Sequence, residues 1–192
     1  MDDFAFFFDL GWKHIISTDA LDHQLFILAL AAIYLVHDWK KVLILVTAFT
    51  IGHSLTLILS TYDLIKANSK WVEFLIPLSI VTTAIFNLVR TENHYGKYRF
   101  QYALALLFGL VHGLGFANTI RFMLASDQTI AIPLLSFNLG LEAAQIVLVT
   151  IILVAGYLLV NKAGLKIKWW VWILSATALL IALNMARERW PL

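Results

Sequence analysis

Six runs of the chain are continuously apolar for about the length that a helix needs to cross a bilayer, roughly 20 residues for about 30 Å of hydrocarbon. They lie at about 20–37, 41–60, 72–90, 101–124, 130–159 and 168–186. None shows the period-two alternation of a barrel strand. Helices are then the way left to satisfy backbone N–H and C=O groups in lipid. A mean hydropathy of +0.83 with 14% charged residues places the chain well outside ordinary soluble domains. The expected fold is all-α: a polytopic membrane helical bundle of about six transmembrane helices. No linker, low-complexity tract or charge block divides it, so residues 1–192 read as one integral membrane domain.

The flanks of these runs support the division. Residues 1–13 mix Asp2, Asp3 and Asp9 with Phe4, Phe6, Phe7, Phe8 and Trp12, which predicts an N-terminal segment lying in the interface. All seven Trp residues fall at or near proposed ends, where indoles prefer the headgroup level. The fifth run exceeds a straight crossing, and Pro133 near its start predicts an interfacial or broken first turn. With the N-terminus outside, the cytoplasmic loops hold eight Lys and Arg against six outside, so the expected orientation in the cytoplasmic membrane is N-out. The first residues, Met-Asp-Asp-Phe, lack the basic start of a cleavable signal peptide. A net charge of +2, scattered between spans, excludes a nucleic-acid partner and leaves the lipid bilayer as the expected one. There is no cysteine, so any metal must use nitrogen and oxygen donors.

An ionisable side chain inside a span costs roughly 2.5–3.5 kcal/mol on insertion scales, and this chain carries several. His14, Asp19, Asp22 and His23 gather at the start of the first run. If a helix begins near Thr18, then Asp19, Asp22 and His23 share one face at i, i+3 and i+4. Thr18 or Asp19 is equally a good helix N-cap. Phe49, His53 and Thr56 share a face of the second run, and Glu73 and Asn87 share one in the third. In the fourth, Gly109 and Gly113 flank His112 and allow close helix contact. Asn138, Glu142 and Gln145 form one stripe of the fifth. Asn and Gln in such places often serve only to bind helices together, and His53 or His112 can be a neutral core histidine. Glu142, about twelve residues into its run, must be protonated, paired or metal-bound. The sequence His-x-Leu recurs at His23, His53 and His112, too short a match to establish a duplication.

With alternating helices, His14, Asp19, Asp22, His23 and Glu73 fall near the outer surface, and His53, His112, Asn138, Glu142 and Gln145 near the bilayer middle. Such a trail reads as a cation or proton path, or as a recessed active site. Imidazole and carboxylate donors without thiolate suit divalent nickel, zinc, cobalt or iron.

Five stretches resemble the HupE/UreJ family of membrane proteins associated with hydrogenase and urease maturation. They are Gly-Trp-Lys-His followed by Asp-His-Gln-Leu-Phe, then Phe-Thr-Ile-Gly-His-Ser-Leu-Thr-Leu, Val-Glu-Phe-Leu-Ile-Pro-Leu-Ser-Ile, Phe-Gly-Leu-Val-His-Gly-Leu-Gly-Phe-Ala and Phe-Asn-Leu-Gly-Leu-Glu-Ala-Ala-Gln. The resemblance covers essentially the whole chain and implies a nickel permease. It implies that His14, Asp22 and His23 match the family's first-helix metal motif and Glu142 its intramembrane glutamate. Seven residues separate His14 from Asp22, more than the family's usual spacing, and Asp19 is added.

The expectation is therefore a transition-metal permease, in which Asp22 and His23, with His14 and Asp19, capture the ion. His53, His112 and Glu142 then accept it in the interior. The alternative is an integral-membrane metal-dependent hydrolase, with His14, Asp22 and His23 leaving a fourth position for an activated water. A structural accessory subunit would need the polar stripes to be helix contacts alone.

Overall fold

The computed structural model of the protein describes residues 3–89, 98–123 and 130–192. Among these residues there are helices and turns and no strand. In chain order the helices are α1 (Asp3–Ile16), α2 (Leu21–Ala31), α3 (Trp39–Thr61), α4 (Ser69–Val89), α5 (Tyr98–Met123), α6 (Ala131–Gly156) and α7 (Ile167–Glu188). Four helical segments of the described chain are long and apolar enough to cross a membrane: 36–61, 69–89, 131–162 and 167–188. α5, 26 residues long, occupies the place of the fourth predicted span. The outward faces of these helices are as apolar as their inner ones, with Ile44, Ile51, Leu135, Ile151, Ile173 and Leu180 all exposed, as lipid contact requires.

The first predicted span is resolved differently. α2 has 11 residues, about 16 Å of helix, which is short of a crossing. Residues 32–35 continue without helix yet are buried, and Tyr34 donates its hydroxyl to Gln101 on α5. Hydropathy registers burial, and this backbone is as buried as a helix would be. Irregular backbone at depth is tolerated where protein surrounds it. The N-terminal segment, expected in the interface, is a 14-residue helix packed along α6. Pro133 leaves α6 unbroken, because first-turn N–H groups have no intrahelical acceptor. The excess length of this run continues as a π-helical segment, Tyr157–Lys162, before Gly164 at φ +77° turns the chain into α7.

Two helix pairs meet at backbone contact. On α1 and α6, a Cβ added to Gly11 would lie 2.0 Å from the Phe137 carbonyl oxygen, and one on Gly140 would lie 2.0 Å from that of Phe8. On α3 and α5, Gly52 meets Leu106 O at 2.3 Å, Gly109 meets Phe49 O at 2.1 Å, and Gly113 meets His53 O at 2.3 Å by the same construction. Only glycine permits such approach, which substitutes dispersion contact for the hydrophobic drive that lipid removes. A third group forms around Asn87 of α4, whose Nδ2 donates to Ala29 O on α2 (2.7 Å) and to Ser175 Oγ on α7 (3.2 Å).

Gly140→Ala should therefore force α1 off α6 and lower the thermal midpoint of the detergent-solubilised protein, at a cost of at least about 1–3 kcal/mol. Gly156→Ala, whose added carbon meets side-chain atoms at an ordinary 3.4 Å, should leave the midpoint nearly unchanged. Equal midpoints for the two variants would refute the contact.

Candidate metal centre

The helix contacts that set the fold also carry histidines. Gly11 stands one turn before His14, Gly52 directly before His53, and Gly109 one turn before His112, so each crossing fixes an imidazole close to it. α1 is held to the start of α2 by Gln24, whose Nε2 donates to the carbonyls of Ile15 (3.1 Å) and Ser17 (2.8 Å). The Ile15 carbonyl is one that the end of a helix otherwise leaves without a partner. The closure brings His14, at the end of α1, against His23, at the start of α2.

The four rings form one cluster. Centroid separations are 4.6 Å for His14 and His23, 4.8 Å for His23 and His112, 5.8 Å for His14 and His53, and 6.4 Å for His23 and His53. One nitrogen from each of His14, His23 and His53 lies within 4.8 Å of the others. Two nitrogens on one ion stand roughly 3–4 Å apart, so small ring movements would place all three on a single ion. His53 and His112 are fully buried, His23 nearly so. The Nε2 atoms of His14 and His23, both ring nitrogens of His53 and Nδ1 of His112 are buried without a hydrogen-bond partner. Each such orphan costs on the order of 1–3 kcal/mol. Five such atoms on four neighbouring rings are a heavy burden on the fold unless a ligand satisfies some of them. Phe116, 4.0 Å from His14, and Phe137, Phe49 and Phe26 wall the cluster with rings that exclude water.

Asp22 stands beside the cluster. Its Oδ1 accepts from the His23 ring at Nδ1 (2.9 Å) and from the His23 backbone N–H (2.8 Å), while Oδ2 accepts from Arg189 Nη1 at the end of α7 (3.1 Å). A carboxylate on one ring nitrogen leaves the other free to ligate, the usual arrangement behind a metal-bound histidine. Asp19 lies in a 3-10 turn, Thr18–Ala20, ahead of α2. It stands ahead of the helix that carries Asp22 and His23, and it is exposed. Neither Thr18 nor Asp19 caps α2 through its side chain. Asp19 and Glu73, also exposed, line a cavity of about 330 Å³ whose walls include His14, His23, His112 and Arg189.

Three residues of the sequence trail run along α6 where it faces α3, and the first of them, Asn138, stands beside the His53 ring. Gln145, buried, accepts from Thr50 Oγ1 at 2.9 Å. Glu142, half-buried, accepts from the exposed Thr47 at 2.7 Å. Asn138 donates to Leu134 O on its own helix (2.8 Å), while its Oδ1 is buried without a partner. Phe137, adjacent in sequence, stacks on His53 at 6.2 Å and joins this stripe to the cluster. The sequence reading missed Arg189, since nothing in its local pattern distinguishes it from a charge at a membrane face. The His-x-Leu recurrence did carry a signal, for its three histidines all reach the cluster.

No curated protein and no solved structure matches the chain. The family described as HupE / UreJ protein matches residues 1–189. The motifs that carry the resemblance are those that build the glycine crossings and the histidine cluster, and over essentially its whole length this chain belongs to the HupE/UreJ family, associated with nickel or cobalt transport or accessory function.

Proposed function

We propose that the protein is a transition-metal permease of the cytoplasmic membrane, with nickel the leading substrate. The observation that carries the reading is the convergence of unpartnered imidazole nitrogens at the floor of a cavity with an acidic rim. Asp19 and Glu73 attract a hydrated divalent cation into the cavity. His14, His23, His53 and His112 replace its water, with neutral nitrogen donors that bind nickel, cobalt and zinc well. Asp22 orients His23 from behind. The family to which the chain belongs favours carriage over hydrolysis at this site.

Release must follow, so the site must hold the ion weakly enough to let it leave. His53 offers two unpartnered nitrogens. Beyond it the stripe of Asn138, Glu142 and Gln145 supplies oxygen donors along the α3–α6 contact. In this scheme the ion moves from imidazole to oxygen ligands as it leaves the capture site, and Glu142 supplies a carboxylate along that way. The cavity faces outside, and the junction of α2 with α3 faces the cytoplasm.

Purified protein should bind about one nickel or cobalt ion per chain, and His23→Ala or His53→Ala should each reduce this at least tenfold, measured by elemental analysis after gel filtration. Unchanged content in both variants would remove the site. Glu142→Gln should keep the bound ion yet lose most uptake into proteoliposomes, with no recovery at higher metal concentration. Full uptake by that variant would leave Glu142 as a helix contact. Because the chain has no cysteine, a single cysteine at Lys66 should react with an impermeant thiol reagent in intact cells, and one at Lys40 only after lysis; the reverse pattern would invert the orientation.

A further inference from the structure

We infer that Arg189 is a positioning residue of the metal centre: acting through Asp22, it fixes the ring of His23 and keeps the carboxylate off the ion. The inference rests on the four-histidine reading above.

Asp22 and His23 are neighbours in sequence, and neighbours on a helix do not naturally face one another. The carboxylate reaches the ring only in one orientation, with Oδ1 on His23 Nδ1, and that orientation points Oδ2 at the far end of α7. Arg189 meets it there. Among the described residues lining the cavity, its guanidinium is the one Lys or Arg side chain. A fixed positive charge beside a cation site weakens binding unless another group neutralises it. The pairing with Asp22 does so, and it occupies both carboxylate oxygens. Arg189 is anchored in turn. Trp190 packs edge-on against Phe74 of α4 at 5.1 Å, and α7 is joined to α4 and α2 through Asn87.

Two consequences follow from the chain of contacts. His23 presents Nε2 to the cluster because Nδ1 is held by a carboxylate that is itself held. And Asp22 is prevented from becoming a ligand, so the donor set is imidazole alone. Removing Arg189 frees Oδ2, and the carboxylate can then turn toward the ion and replace one nitrogen with an oxygen. Arg189 thus acts on metal preference without touching the metal.

The test uses Co²⁺ on the purified full-length protein, since its d–d absorption reports the donor set and its titration reports affinity. Arg189→Ala should shift the absorption band and change affinity by about tenfold or more, and Arg189→Lys should restore part of both. In an Asp22→Asn background, Arg189→Ala should change affinity by less than about twofold, because the route through Asp22 is already cut. An Arg189→Ala spectrum and affinity equal to the parent's would overturn the inference, as would an undiminished effect of Arg189→Ala in the Asp22→Asn background. If the parent protein binds no Co²⁺, the four-histidine reading fails and this one with it, whereas parent binding with a silent Arg189→Ala sinks this one alone.

Discussion

The structure depends on helices that touch at the level of their backbones. In lipid, apolar side chains gain nothing by leaving their surroundings for one another, so association rests on close packing and on hydrogen bonds between helices. Gly11, Gly52, Gly109, Gly113 and Gly140 supply the packing, each set against a carbonyl of the partner helix. Asn87 supplies the hydrogen bonds, joining α4 to α2 and to α7. The result is two glycine-locked pairs, α1 with α6 and α3 with α5, and a third group of α2, α4 and α7. Each contributes to the centre: His14 from the first, His53 and His112 from the second, His23, Asp22 and Arg189 from the third. The cluster sits where all three meet.

That arrangement gives the buried histidines a physical reason to exist. A neutral imidazole in an apolar wall normally has both nitrogens satisfied, or it costs stability. Here the phenylalanine rings offer no hydrogen bonds, and the Ser79 hydroxyl stands 3.5 Å from His112 Nε2. The site is thus held together by packing around it, with its polar groups left for a ligand. Such preorganisation places the cost in the empty state, where it lowers the affinity of any ligand less than a disordered site would.

The spans were legible in the sequence because hydropathy over some twenty residues is a strong signal, and the approximate count of six came from it. It misassigned the first, since Ala32, Ile33, Tyr34 and Leu35 are as apolar and as buried as α2 itself, and only tertiary surroundings decide whether buried backbone is helical. α1 was hidden by its length. His14, His23, His53 and His112 were each visible as polar groups in costly places. Their meeting was not, because closeness across 9 to 98 residues of separation has no local pattern. Arg189 lies 167 residues from its partner, and a lone arginine at a helix end reads as a topology signal. Glu142 was singled out by its depth and by the resemblance. Depth along the helix does not reveal azimuth, and its azimuth turns it toward Thr47 and the edge of the bundle.

The spread of the centre along the chain, from His14 on α1 to Arg189 beyond α7, has a consequence for biogenesis. Helices of a polytopic protein enter the bilayer in sequence order, and a chain with only α1 to α3 inserted holds three of the four imidazoles with neither His112 nor the arginine. Its histidines would be unbraced, for α5 and α6 supply the glycine partners of α3 and α1. A histidine cluster of this kind is therefore a property of the completed bundle, and a nascent chain does not present it assembled during its own insertion.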